Sequence, residues 1–212
     1  MRAGLKRSFR RLSDRIGGQS MKVWSAPLGV SIFTAPVDGE YKFFLLGAGA
    51  SGRAAGSGTV YGGAGGAYAE KTLLLSTGTQ VALVVGTGGD TVSATSNGVS
   101  GGATSAELPG GSVVAGGGQR ATSSVKGVGG VATGGDYMAN GGASAEAGVN
   151  GGAANTGTST GGTPGGRQGA QPFPVGNSLA FDLAVLPGMG GTGSTTKSQP
   201  GGHGALTIIW QE

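Results

Sequence analysis

Between Gly86 and Gly169 the chain is built almost wholly from Gly, Ala, Ser, Thr, Asn and Val, with Gly-Gly pairs at irregular intervals. No other feature restricts the fold as much. An interior glycine costs a helix up to about 1 kcal/mol, and almost no apolar period survives in the stretch. A collagen triple helix is excluded, because Gly does not fall at every third position and Pro is sparse. A flexible linker satisfies the composition. So does a polyglycine II-type bundle of left-handed extended helices with three residues per turn, whose bare backbones can approach and hydrogen-bond. Ordering glycine carries a large entropic cost. Only a dense network of bonds between helices could offset it.

The flanks carry strand signals. VSIFT at Val30–Thr34 leads through the turn APVDG into EYKFFLL at Glu40–Leu46. AYAEKTLLL at Ala67–Leu75 and TQVALVV at Thr79–Val85 are joined by STG. These runs are rich in aromatic and β-branched residues, and nothing between them reads as a crossover helix. SLAFDLAVL (178–186) reads as a strand or short helix, and ALTIIW at Ala205–Trp210 reads as a terminal strand. If that last strand pairs with the early ones, the glycine-rich stretch is an insertion held at both ends. The expected fold is therefore all-β: a small antiparallel, jelly-roll-like sandwich with long Gly-rich loops or polyglycine II segments. The expected core is Phe33, Tyr41, Phe43, Leu45, Leu73, Leu75, Val81, Leu83, Val85, Ile208 and Trp210.

The N-terminal segment differs from all of this. Leu5, Phe9, Leu12 and Ile16 form one apolar stripe at helical spacing, and Gly17-Gly18 ends it. The first 22 residues carry seven basic residues against Asp14 alone, whereas the remainder carries seven basic and nine acidic ones. The net charge of +4 thus describes a basic arm on a nearly neutral body, not a nucleic-acid-binding domain. A lone amphipathic helix needs a partner for its stripe. Leu5, Phe9, Leu12 and Ile16, with Arg7, Arg10 and Arg11, are the candidate anchoring residues. Packing on the chain's own body, on a membrane or on nucleic acid are the alternatives. The division is an arm at 1–22, the first part of the β-domain at 23–90, a Gly-rich insertion at 91–177 and completing strands at 178–212. No run reaches the roughly 18 apolar residues of a membrane span, and the first residues lack the apolar core of a secretory signal.

Motifs of catalysis and cofactor binding are weak. Gly47, Gly49 and Gly52 spell G-x-G-x-x-G after an apolar strand, but RAAGSGTVYGGAGG cannot continue as the helix on which a pyrophosphate sits. Roughly two or three such matches are expected by chance at this glycine content, and a second stands at Gly188, Gly190 and Gly193. G-x-S-x-G around Ser100 and Ser159 also lacks its strand–turn–helix context. Absence of Cys and a single His, His203, leave no thiolate or multi-histidine metal site within one chain. The carboxylates are too scattered to suggest a paired site. No cofactor, no metal and no enzymatic activity is expected. Large side chains are conspicuous by rarity in the glycine-rich parts. Tyr61, Arg120, Tyr137, Met138, Asn140 and Arg167 are therefore the candidate contacts to a receptor. Tyr137 and Met138 could equally pack locally or on a neighbouring chain.

IFTAPVDGEYKFFLLGAGASG, GGAGGAYAEKTLLLSTGTQVALVVGTGG and the closing GGHGALTIIW resemble the glycine-rich domain of bacteriophage tail-fibre and tail proteins. The resemblance covers about Ile32–Gly89 and Gly201–Trp210, and the middle resembles it only in composition. FTAPVDGEYKF is also similar to strand pairs in trimeric jelly-roll heads. The resemblance implies a virion structural protein, often trimeric, whose Gly-rich part faces a host receptor. The basic arm lies outside the family pattern, and the chain has no coiled-coil or triple-helical shaft. A tail tip, a head fibre or a capsid-surface decoration mounted by its arm is the expectation. The alternatives are a cement protein without a receptor and, more remotely, an ice-binding or matrix protein.

Overall fold

The computed structural model describes residues 20–55, 60–93, 95–123, 125–144, 187–191, 193–194 and 196–212. The amphipathic arm, the SLAFDLAVL segment, Ser159 and Arg167 lie outside the described residues.

The strands are β1 (Met21–Ser25), β2 (Gly29–Thr34), β3 (Gly39–Leu46), β4 (Tyr68–Leu75), β5 (Gln80–Val85), β6 (Thr104–Leu108), β7 (Gly111–Ala115), β8 (Ala132–Thr133), β9 (Tyr137–Ala139) and β10 (Ala205–Gln211). They form two antiparallel sheets, β1-β10-β3-β4-β9 and β2-β5-β6-β7-β8. The expected all-β sandwich is what forms. The terminal strand does pair with the early ones: β10 lies between β1 and β3, with Ile208 opposite Phe43 and Trp210 opposite Tyr41.

Alternation explains which residues face inward. Phe33, Tyr41, Phe43, Leu45, Leu75, Val81, Leu83, Val85 and Ile208 are buried in one core, with Leu73 and Trp210 partly buried against it. Phe33 is the centre of an aromatic cluster, with ring centroids 5.3 Å from Trp24, 5.8 Å from Tyr41, 6.5 Å from Phe43 and 5.6 Å from Trp210.

Four strands, β6 to β9, lie inside the stretch expected to be an unbroken Gly-rich insertion. TSAEL and GSVVA form a hairpin whose register runs from Thr104↔Ala115 to Leu108↔Gly111. Its inward residues are small, namely Thr104, Ala106 and Ala115 beside Leu108 and Val113. That keeps the period-2 signal faint. The turn is made by Pro109 and Gly110, with Gly110 and Gly111 at φ of 99° and 138°, the left-handed side that favours glycine.

The ends of the sandwich differ. The connections 35–38, 76–79 and 109–110 are short and lie together at one end, the base, and 134–136 turns back short of it, beside the middle of β4. Two aspartates fasten these turns to their neighbours. Thr77 N–H donates to Asp38 at 2.6 Å, and Thr72 N–H and Lys71 Nζ donate to Asp136 at 2.8 and 2.6 Å. These bonds hold both carboxyls below the usual aspartate range: for Asp38 the Thr77 backbone bond is the main cause, for Asp136 the Lys71 bond. Ser20 and Glu212 are hydrogen-bonded to each other at the base, so the arm enters the sandwich there. The Gly-rich connections all leave from the opposite end.

Candidate functional site: a glycine bundle

The segments 47–55, 61–67, 86–92, 96–103, 116–121, 127–131, 141–144, 187–191 and 197–204 project from the sandwich as extended chain with no sheet or helix of their own. Their backbone bonds repeat every third residue. Along the central segment, Gly47, Ala50 and Arg53 donate to Ala67, Ala64 and Tyr61; Ala48, Ser51 and Ala54 to Gly102, Val99 and Ser96; Gly49 and Gly52 to Gly202 and Gln199. Its carbonyls accept in turn: Ala48 from Gly118, Gly49 from Gly89 and Ala50 from Gly191. Segment 47–55 is thus ringed by six neighbours, three that it donates to and three that donate to it. The same spacing recurs at the edge, where Ser198, Gly201 and Gly204 donate to Val92, Gly89 and Gly86. A three-residue repeat of bonds to surrounding helices is the packing expected of polyglycine II. Among the described residues of the Gly-rich stretch, ordered packing and not a flexible linker is what forms.

Close approach dictates where side chains are absent. A Cβ on Gly49 would run into the Met189 carbonyl, and one on Gly66 into the Gly47 carbonyl. Ala48, Ala50 and Ala54 in the same central segment are fully buried, so their methyl groups have room. The order of Gly and Ala in GAGASG is therefore a packing pattern. Its N–H groups, from Gly47 to Gly52, are all committed to neighbouring carbonyls at 2.8–3.3 Å. They are not free to cradle a phosphate.

The candidate contact residues fall into two groups. Tyr61 and Arg120 belong to the bundle, Tyr61 half-buried and Arg120 exposed. Arg120 N–H is held by Ser100 Oγ at 3.1 Å. Tyr137, Met138 and Asn140 stand instead at the edge of the first sheet, on or next to β9. Tyr137 packs on Tyr68 with centroids 6.1 Å apart, within a second small cluster of Leu46, Tyr68 and Ala139. Asn140 Oδ1 accepts from Ala132 N–H at 3.3 Å, and Met138 projects into solvent. Local packing accounts for Tyr137 and Asn140. The five of these residues that the structure describes therefore fall on two different parts of the fold. His203 is exposed, but it sits within segment 197–204 and not in a turn, with Nδ1 accepting from Gly88 N–H at 2.9 Å.

Other features of the bundle were not singled out from the sequence. Val125, Val128 and Val131 are all exposed, one every third residue along VKGVGGV. That spacing puts them on one face of a three-fold helix, and it was visible in principle. Charge is the second feature. Among the described residues the sandwich and its turns hold Lys22, Lys42 and Lys71 against Asp38, Glu40, Glu70, Glu107, Asp136 and Glu212, a net of −3. The bundle holds Arg53, Arg120, Lys126 and Lys197 against Asp90, a net of +3. All three sandwich lysines are spent in ion pairs there, with Glu212, Glu70 and Asp136 at 3.0, 2.8 and 2.6 Å. The Glu70 pair is the sheltered one: Glu70 is buried and also accepts from Tyr68 Oη at 2.8 Å.

No curated protein matches the sequence. A family model described as the glycine-rich domain matches residues 25–210, which takes in both the sandwich and the bundle. The chain therefore belongs to the glycine-rich domain family.

Proposed function

We propose that this is a non-enzymatic bacteriophage virion protein, a component of a tail fibre, tail tip or head fibre that displays its glycine bundle for attachment to a host. The observation that carries the reading is the two-ended layout. The basic amphipathic arm joins the sandwich at Ser20, on the base, and the bundle leaves from the other end. A protein that is mounted at one end and presents a surface at the other needs this separation. The arm's stripe of Leu5, Phe9, Leu12 and Ile16 docks on another virion protein, and the host receptor meets the bundle. Rigidity supports the reading. Every strand-to-bundle exit is tied to neighbours by backbone bonds, so contact residues are held without a large core beneath them.

A homo-oligomer, a trimer by the family resemblance, is part of the proposal. Val30 and Ile32 stand exposed on the outer face of edge strand β2, with Val84 paired beside Val30, a surface suited to a neighbouring copy. The same apolar face favours the second reading, a decoration or cement protein without a receptor. Deleting residues 1–18 tests the mount: the truncated chain keeps the urea midpoint of the full chain and no longer enters particles. Normal incorporation would sink the anchor. Particles lacking the protein separate the two readings. Loss of adsorption with intact particles supports attachment, whereas particles that loosen on heating support cement.

A further inference from the structure

The charge separation within the body has a chemical consequence at the crown of the bundle. Arg53, Lys126 and Lys197 lie toward its far end, and Arg120 lies about halfway along, five residues beyond the end of β7. Arg53 is bonded to Tyr61 near the tip of the central segment, and Lys197 pairs with Ser93 across the tip bridge. Arg120 and Lys126 flank the turn in which Thr122 N–H donates to Val125 C=O at 3.0 Å. Asp90 alone opposes them among the described residues of the bundle, and it lies five residues beyond the end of β5, at the same height as Arg120. Arg120 and Lys197 are exposed, and among the described residues neither is within ion-pair distance of a carboxylate. Between the cations the crown presents hydroxyl groups, from Ser93, Thr95, Thr122, Ser123 and Thr196.

We propose that the crown binds an anionic surface glycan, through phosphate or carboxylate groups on the cationic rim and sugar hydroxyls on the Ser and Thr side chains between them. The proposal rests on the attachment reading and names the class of receptor for it. Field and geometry act together. The bundle, with +3 on its described residues, attracts a polyanion and the sandwich, with −3, repels it, so a polyanion approaches bundle-first. Guanidinium and ammonium groups suit phosphate and carboxylate oxygens. Single-stranded nucleic acid fits less well. It needs rows of aromatic platforms for its bases, and Tyr61 is the one aromatic side chain among the described bundle residues.

The test uses the full chain with the arm's charges removed (Arg2, Lys6, Arg7, Arg10, Arg11 and Arg15 all to Gln), so that the arm cannot supply the binding. Its affinity is measured for polygalacturonate, for poly(glycerol phosphate), for neutral dextran and for a single-stranded oligonucleotide at several salt concentrations. Binding to one or both anionic glycans, weakening with salt and absent on dextran, is expected; which of the two binds tells carboxylate from phosphate. Arg120→Glu and Lys197→Glu each lower the affinity about three- to tenfold, mostly through the on-rate. Arg120→Gln and Lys197→Gln do so by less. Lys22→Glu, the same change of charge at the base, shifts it less than about twofold. The proposal is overturned if the arm-neutral chain ignores both anionic glycans, if Lys22→Glu costs as much as the crown reversals, or if the oligonucleotide binds more tightly than either glycan. Binding to host envelopes distinguishes the two levels. Envelope binding that neither glycan blocks leaves attachment standing and removes the anionic receptor. Crown-dependent glycan binding without envelope binding keeps the site and removes attachment.

Discussion

Replacing Gly49 with Ala adds one methyl group at the most crowded point of the bundle. The new Cβ points at the Met189 carbonyl, with Gly190 N a further 2.8 Å contact, and both are backbone atoms that cannot swing aside. Segment 187–191 must therefore move as a unit, by about an ångström or more to restore ordinary contact distances. Overpacking of this kind costs about 1–3 kcal/mol. The displacement also strains bonds that the segment makes: Gly202 N–H to Met189 C=O at 2.8 Å and Gly191 N–H to Ala50 C=O at 2.7 Å. Each is worth about 1 kcal/mol net. Against these stands the loss of unfolded-state freedom on going from Gly to Ala, about 0.4–1 kcal/mol in favour of folding. The balance is a destabilisation of about 2–4 kcal/mol. With a urea slope of about 2 kcal/mol per molar, the midpoint falls by about 1–2 M.

Two readouts separate the bundle from the sandwich. Trp24 and Trp210, both against Phe33 at the base, report on the core by fluorescence. Hydrogen exchange at Gly89, whose N–H goes to the Gly49 carbonyl, reports on the bundle. Gly39→Ala is the control. No atom lies within 4 Å of its added Cβ, so this change is neutral or stabilises by up to about 1 kcal/mol. The close-packing argument is refuted if Gly49→Ala matches Gly39→Ala in midpoint and leaves Gly89 exchange unchanged.

Phe33→Ala removes the ring shared by Trp24, Tyr41, Phe43 and Trp210 and costs about 3–5 kcal/mol, whereas Leu74→Ala, on a side chain 79% exposed, stays within about 0.5 kcal/mol; urea midpoints decide it. Acid sensitivity follows from the two turn aspartates, Asp38 and Asp136, whose folded pKa values lie below the ordinary 3.8. Their contribution is complete above 3.8 and is lost as pH falls through the lower folded values. The Asp38→Asn, Asp136→Asn double variant is therefore expected to lose less stability than the parent between about pH 5 and 2, and an equal loss in midpoint would count against the clamps.

Strand content was legible wherever inward residues are large. EYKFFLL, TQVALVV and ALTIIW announce themselves by aromatic and β-branched residues, and all three became strands of the core. The hairpin at 104–115 was missed because Ala and Thr fill its inward positions, and such residues look the same in a strand and in a glycine-rich loop. Tyr137, Met138 and Asn140 were assigned to the outer part because β9 is three residues long and surrounded by glycine. For the candidate site, only Tyr61 and Arg120 were picked out among the bundle residues that the structure describes. Arg53, Lys126 and Lys197 are separated by long stretches of chain and carry no local signal.

What the sequence by itself determined is a matter of local chemistry: glycine density disfavours helix, alternation makes strands, and basic residues gather in the first 22 positions of a chain whose remainder is nearly neutral. Tertiary structure decided everything that depends on which segments become neighbours. Three-fold hydrogen bonding joins residues far apart in the chain, so the positions that tolerate no methyl group emerge only once the segments are packed. Segregation of charge has the same origin. Beyond the first 22 residues seven basic and nine acidic residues are scattered along the chain, and only the routing of the described glycine segments to one end of the sandwich sorts those among them into a cationic bundle and an anionic sandwich.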